Sequence, residues 1–470
     1  LKYFLKAVFL FSLAVGLCTA QSSDGSSKGE VRTSLDLRNA VPQGQATADV
    51  LPLTLLDAIE RALKYNLAIV SSDLDIRQTR AQRLQTLADL LPTLNIRPSV
   101  TEQQTSLAAF GFSSFPGVPP ILGPFTVFDA RAALSAPLLD IKNWRKYKAG
   151  AEDAKAAQFN LQDARSDVVL VSTGLYLQAL AGASRIDSAR AQEAVSETLY
   201  RQAADRRAAG TVPAIDVIRA EVEWKRQQQH LISSEGDFEK QKLNLARAIG
   251  LPPGQAFRLA DKMPDDPLPG GVTVESVLER ALAQRPDYLS KQAEVRAAEL
   301  RKQSAAAGRL PTISLDANYG VLGPRVDEVH GTFGVAGTVN IPVYQGGRVQ
   351  ADVADADADL DHRKSELAAL RARIDADVRS ALIDAQTAAR LVEVARGNAE
   401  LARKQLEQSR DRFSSGVTNN LEVVEAQQAV AAAEEAYIAS LYSFNTAKSM
   451  VARARGDAGQ TIIEYLKGKR

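Results

Sequence analysis

Thr54-Leu55-Leu56-Asp57-Ala58-Ile59-Glu60-Arg61-Ala62-Leu63 returns as Thr273-Val274-Glu275-Ser276-Val277-Leu278-Glu279-Arg280-Ala281-Leu282, 219 positions later. At the same offset, Leu91-Pro92-Thr93-Leu94 returns as Leu310-Pro311-Thr312-Ile313. Farther on, Gly210-Thr211-Val212-Pro213-Ala214-Ile215-Asp216-Val217 returns as Gly416-Val417-Thr418-Asn419-Asn420-Leu421-Glu422-Val423, now at offset 206. Ala246-Arg247-Ala248-Ile249-Gly250 keeps that second offset against Ala452-Arg453-Ala454-Arg455-Gly456. A single change of offset means that one copy carries one longer loop. Units of about 200 residues are far too long for a solenoid. The chain therefore reads as internally duplicated, residues 51–250 and 272–457 carrying the same elements in the same order.

Each copy opens with an amphipathic helix, predicted over 54–90 and 273–309, and both stop at the Leu-Pro-Thr because proline ends a helix. Strand periodicity follows at once. In the second copy Ile313, Leu315, Ala317, Tyr319 and Val321 alternate with Thr312, Ser314, Asp316, Asn318 and Gly320. After a turn, Phe333, Val335, Gly337, Val339, Ile341 and Val343 alternate with Thr332, Gly334, Ala336, Thr338 and Asn340. The first copy does the same more loosely: Leu94, Ile96, Pro98 and Val100, then Phe128, Ala130, Ala132, Leu134 and Leu138. Between them, Ala108 to Pro124 is a Gly, Pro and Phe rich loop that accounts for most of the offset change. Such alternation gives each strand one apolar and one polar face. Two hairpins supply four strands, too few to close a membrane barrel, which needs about eight, and lipid tolerates no open sheet edge. The strands form either a small soluble sheet or a barrel pooled from several chains.

A proline-free helical run follows each hairpin, predicted over Ile141–Ala209 and Gly347–Ser415 and about 100 Å long at 1.5 Å per residue. In the second, Val392, Ala399, Leu406 and Phe413 fall seven apart, with Ala395, Ala402 and Ser409 three residues after the first three. That is a heptad seam with small residues for close approach. A glycine turn, Gly210 or Gly416, leads into a return helix ending near Gly250 or Gly456. Residues 251–271 read as a Pro/Gly linker between the copies.

At the N-terminus, Lys2 and Lys6 flank the start of an apolar run, Ala7 to Leu17, before Cys18-Thr19-Ala20. This is the pattern of a secretory signal over residues 1–20, cut after Ala20. The run is too short to span a bilayer. Lipidation at Cys18 is the weaker alternative because Leu17 is bulky where a small residue is expected. Residues 21–50 read as a mobile leader and 458–470 as a tail. The charge is nearly balanced, 57 Lys+Arg against 56 Asp+Glu, so no basic field calls for nucleic acid.

Chemistry-bearing motifs are absent: there is no phosphate loop, no His-Glu-x-x-His and no Gly-x-Gly-x-x-Gly. His230, His330 and His362 fall in separate elements. Asp355, Asp357, Asp359 and Asp361 with Glu366 imitate a calcium loop, but Leu360 stands where glycine is needed, so a solvated acidic helix face is the better reading. The expectation is a non-enzyme with no cofactor and no metal. Glu422 and Glu425 lie three apart just after the Gly416 turn, so they share one helix face. Acids at a helix N-terminus also favour the macrodipole, which competes as the reason for their presence.

Over about residues 50–457 the sequence resembles the TolC-type outer membrane efflux proteins. The resemblance rests on Asp57-Ala58-Ile59-Glu60-Arg61-Ala62-Leu63 and the paired Leu-Pro-Thr, on Ala136-Pro137-Leu138 and Ile341-Pro342-Val343 at the strand ends, on the glycine turns before Asp216-Val217 and Glu422-Val423, and on Leu245-Ala246-Arg247-Ala248-Ile249-Gly250. It implies a mixed α+β membrane protein, a homotrimer pooling four strands per chain into a twelve-stranded outer-membrane barrel. A coiled-coil helical tunnel would continue that barrel into the periplasm. It further implies a duct for efflux or type I secretion, joined through a periplasmic adaptor to an inner-membrane pump. By the same resemblance Glu422, Glu425 and Asp216 belong to the periplasmic aperture, and Gly210, Thr211, Gly416 and Val417 to turns that dock the adaptor. The family's basic latch residue, two positions after the second glycine, is here Thr418, so the closed state must be held otherwise. The competing expectation is a soluble periplasmic coiled-coil scaffold whose hairpins form a small sheet.

Overall fold

A computed structural model describes residues 37–110, 119, 121–267, 273–415, 417–418 and 420–456. The signal segment, residues 21–36 of the leader, Gly416 and the 458–470 tail lie outside the described residues. Strand β1 (Leu51–Leu53) precedes helices α1 (Leu55–Tyr65) and α2 (Leu67–Ala88). A hairpin of β2 (Thr93–Ser106) and β3 (Ile121–Leu139) leads into α3 (Ile141–Ala208) and the return helix α4 (Ala214–Ala248). After β4 (Phe257–Leu259) come α5 (Val274–Gln284), α6 (Pro286–Ala306), β5 (Thr312–Gly323), β6 (His330–Asn340), α7 (Arg348–Ser414) and α8 (Asn420–Arg455). From α1 to α4 and from α5 to α8 the order is the same: two short helices, a hairpin, a long helix and a return helix.

The recurring threonine starts a helix in each half. Thr54 caps α1, its hydroxyl accepting from the Asp57 amide at 3.1 Å while the Asp57 carboxylate accepts from the Thr54 amide at 3.0 Å. Thr273 caps α5 in the same way, accepting from the Ser276 amide at 3.3 Å. The opening helices predicted as single pieces are each broken, at Asn66 and at Arg285, both extended at ψ 136° and 121°. Asn66 recaps the chain, accepting from the Ala68 amide, while Pro286 holds Arg285 out of the helical region. An interior asparagine is a weak breaker, and a proline at a helix's first turn is compatible with one, so the 3.6 periodicity runs through both breaks.

The four long strands form one antiparallel sheet, ordered β2-β3-β5-β6. Its register aligns Leu94, Leu134, Ala317 and Val335 across all four strands, and Ile96, Ala132, Tyr319 and Phe333 in the next apolar row. The opposite face carries Arg97, Arg131, Gly320 and Thr332 in register. The apolar face is unusually open: Ile96 is 72% exposed, Tyr319 73% and Phe333 81%. β2 and β6 each have one neighbour, so both edges of the sheet are unpaired within the chain. Two strand limits differ from expectation. β6 stops at Asn340, since Pro342 cannot donate to a ladder, and Ile341 and Val343 lie beyond it. β3 starts at Ile121, inside the stretch read as loop, where Ser106 pairs with Ile121.

Helix α4 packs along α3, α3 along α8 and α8 along α7, while α2 and α6 pack on α3 and α6 also on α7. The heptad seam of α7 is the packed one: Val392, Ala399, Ala402, Ser409 and Phe413 are buried. An 18-residue window of α3 is apolar enough to cross a membrane, yet 56% of it is buried among the other helices, so it serves as core.

Near the α1 and α5 helices the two halves are riveted together by polar contacts. Arg453 of α8 reaches Asp163 at 2.6 Å and Asp167 at 2.9 Å on α3. Beside it, the 94%-buried Arg285 side chain pairs with Asp287 at 2.6 Å. Burial alone would raise the Asp287 pKa, but Arg285 and Arg453 outweigh it and hold that carboxyl below its ordinary value. The linker and the end of the leader are not free connectors. β1 and β4 pair in parallel. Gln255 accepts from the Thr47 amide and donates to the Asp49 carbonyl, both at 2.8 Å. Asn445 donates to the Pro264 carbonyl at 2.7 Å, and the buried Lys448 to the Asp266 carbonyl at 2.9 Å. Residues 37–50, expected to be mobile, are thus tied down; Leu37 packs on the core and the Ala40 amide donates to the Arg247 carbonyl. Three-residue strands and single side-chain clips have no periodicity by which sequence could show them.

Candidate functional site

At the end away from the sheet, α3 and α7 both terminate and the chain reverses into α4 and α8. The two turns close alike. The Thr211 amide donates to the Arg206 carbonyl and the Val417 amide to the Arg412 carbonyl, both at 2.9 Å and both spanning five residues. This is the bond that ends a helix on a left-handed residue, and Gly210 takes that conformation at φ 74°. Around Gly210 a side chain would meet no atom within 4 Å, so the glycine is required by backbone conformation and not by space. Thr211 adds a hydroxyl bond to the same Arg206 carbonyl, and Val417 projects its apolar side chain to solvent.

Arg206 and Arg412 stand at the same place in the two halves, yet their side chains differ in use. Arg206 crosses to the other half: it donates to the Phe413 carbonyl at 3.1 Å and the Ser414 carbonyl at 3.3 Å, with its guanidinium 4.5 Å from the Phe413 ring centre. It therefore caps the carbonyl end of α7, where positive charge is favoured. Arg412 instead folds back on Glu422, at 3.3 Å. Leu199, Phe413 and Val423 fill the space between α3, α7 and α8.

The residues singled out by sequence are placed as follows. Glu422 is half-buried, accepting from Thr418 and, at 3.4 Å, from Ser409. Thr418, where the resemblance leads to the expectation of a basic residue, acts as a donor to Glu422. Glu425 is exposed on the next turn of α8. Asp216 pairs with Arg219 of its own helix at 3.5 Å. Sequence reasoning missed Arg206 and Arg412, although their separation equals the repeat offset of 206, the one signal that could have found them. The acidic run on α7 is engaged in ion pairs, Lys302 of α6 meeting Asp357 at 2.6 Å and Arg363 meeting Asp359 at 3.4 Å.

Comparison with known proteins agrees with this architecture. The family model described as outer membrane efflux protein matches residues 58–251 and 277–457. The chain is 26% identical over 490 residues to the outer membrane protein OprJ of Pseudomonas aeruginosa, covering 98% of each. It is 25% identical over 388 residues to the pyoverdine export outer membrane protein OpmQ of the same organism, covering 81% of this chain and 80% of that one. Among solved structures, the Campylobacter jejuni CmeC outer membrane channel superposes with a TM-score of 0.75 at 18% identity, covering 88% of both chains. The open state of the Neisseria gonorrhoeae MtrE outer membrane channel gives 0.74 at 16% identity, covering 90% of this chain and 96% of that one. With two matched segments spanning both halves, the chain belongs to the outer membrane efflux protein family, and it is an outer-membrane channel with a periplasmic helical part, not a soluble scaffold.

Proposed function

We propose that three copies of the chain pool their sheets into one twelve-stranded barrel, residues 51–250 and 272–457 acting as equivalent half-units around it. The observation that carries this reading is the sheet itself. Four strands with two open edges and an exposed apolar face cannot stand in lipid alone. Pairing β6 of one copy with β2 of the next removes every edge. The long helices then continue the barrel as a tunnel, and the turns at Gly210-Thr211 and Gly416-Val417 meet a periplasmic adaptor. An inner-membrane pump supplies the energy, and substrate passes through without chemical change. An efflux or type I secretion assembly fits this arrangement.

At the tip, three copies bring Glu422, Glu425 and Asp216 near one axis. Acidic rings attract cations and retard anions. Glu422 is tied to Arg412 and Asp216 to Arg219, so the exposed Glu425 supplies most of the uncompensated charge. In planar bilayers the protein should give small, cation-selective conductance steps that polyvalent cations block from the periplasmic side. Glu425→Gln should weaken selectivity and block more than Glu422→Gln does, with trimer yield unchanged. Selectivity and block that survive in the double variant would remove both residues from the aperture.

A further inference from the structure

The face of the sheet opposite the exposed apolar one holds a row in which two arginines stand directly across from each other. Arg97 of β2 pairs with Arg131 of β3, and the row continues through Gly320 and Thr332. Like charges facing one another across a strand pair destabilise a sheet, so sheet stability does not account for them. The sheet nevertheless leaves them room. A side-chain carbon at Gly320 would lie 2.8 Å from the Cγ of Arg131 and 2.2 Å from the Ala130 carbonyl oxygen. Glycine at that position keeps the arginine stem and the neighbouring backbone clear.

The two arginines differ in what neutralises them. Arg131 forks onto Asp129, two residues along its own strand and on the same face; its Nε donates at 2.7 Å and a terminal nitrogen donates to the other carboxylate oxygen. Arg97 is exposed and, among the described residues, makes no side-chain hydrogen bond or ion pair. On this face the described residues of the four strands carry two carboxylates, Asp129 and Asp316. Asp316 lies four residues from the arginine row along β5, about 13 Å away, beyond the Debye length of about 8 Å in physiological salt. Closing the barrel does not change the balance. β6, the strand placed beside β2 of the next copy, carries no Asp or Glu from His330 to Asn340. Each copy therefore keeps a net positive charge at this row, and three copies set three arginine pairs around the lumen.

We propose that Arg97 and Arg131 form an anion-binding station in the barrel lumen, which takes the carboxylate or phosphate groups of solutes in transit. This rests on the trimeric reading above. A guanidinium meets such a group with two parallel N–H donors, and no carboxylate of the sheet competes for those of Arg97. Basic side chains around a pore favour anions. The duct then carries opposite charge at its two ends, acidic at the tip and basic in the barrel. An acidic solute that has passed the tip meets attraction on its way out.

Inorganic tripolyphosphate tests this on the full-length protein in planar bilayers. Added on the extracellular side, it should lower the conductance. Arg97→Gln should raise the half-blocking concentration at least fivefold. Asp129→Asn releases Arg131 and removes a negative charge, so it should lower that concentration at least twofold. Damage to the fold would not shift the two variants in opposite directions. Native mass spectrometry of the same samples separates the two levels. A conducting trimer that tripolyphosphate does not block, or that it blocks equally in wild type and Arg97→Gln, overturns the station but leaves the trimer standing. Weaker block in Asp129→Asn overturns the part given to Arg131. A monomer by mass overturns the trimeric reading itself.

Discussion

Placing arginine at Val335 puts the outward face of the sheet to a quantitative test. β6 has 11 residues and Val335 is its sixth. At about 3.3 Å per residue and a tilt near 45°, such a strand crosses about 25 Å, the height of a barrel's apolar band. In the proposed barrel Val335 would then sit near the midplane; within the chain it is in register with Ala317, Leu134 and Leu94 and 69% exposed. Arginine at a lipid-facing midplane position costs about 2–4 kcal/mol per chain, and three chains would suffer it together. The neighbouring Ala336→Arg is the control. One residue along a strand turns the side chain to the other face, where Ala336 lies opposite Asp316. An opposite-charge cross-strand pair contributes about 0.2–1 kcal/mol. The assay is folding into lipid vesicles across a urea series, read by heat-modifiable gel migration. Val335→Arg should lower the midpoint and the yield, and Ala336→Arg should behave almost as wild type. Equal losses in both, or a greater loss at Ala336, would refute the assignment of faces.

Gly210→Val forces a β-branched residue to φ 74°, a cost of about 1–3 kcal/mol; export should fall while barrel insertion persists, and normal export would argue against a docking role for the turn. Arg206→Gln removes both bonds to the Phe413 and Ser414 carbonyls, worth about 1–2 kcal/mol at a partly exposed site. Hydrogen exchange of the amides in 411–418 should then speed up, and unchanged exchange would mean that Arg206 does not hold the second turn. Asp287 has a folded-state pKa below its ordinary value, so it contributes stability above the ordinary carboxylate pKa and loses it as pH falls through the depressed one. Asp287→Asn should destabilise by about 1–3 kcal/mol at pH 7, and the gap to wild type should close at a pH below that depressed pKa. A gap that is the same at both pH values would exclude the ionised carboxylate as its source.

What sequence could show was whatever repeats or has a period. The two offsets revealed the twofold element order, and the alternation from Ile313 to Val321 revealed which strand face is apolar, as the exposure of Tyr319 and Phe333 shows. The seven-residue spacing from Val392 to Phe413 marked the packed side of α7. Contacts between elements distant in the chain left no such trace. The pairing of β1 with β4 depends on three residues each, the Gln255 and Lys448 clips on one side chain each, and the helix breaks on the backbone at Asn66 and Arg285. At the tip, composition singled out Glu422 and Glu425 alike. Only geometry separated them, because Arg412 and Thr418 reach Glu422 and, among the described residues, not Glu425.

The most direct measurement is the native mass of the protein extracted from outer membranes in mild detergent. A pooled barrel requires a particle of three chains that survives dilution, becomes a single chain only on heating, and is lost from solution when detergent is withdrawn. A monomer that stays monodisperse in plain buffer would mean that the two open sheet edges need no second copy, and the channel would have no wall.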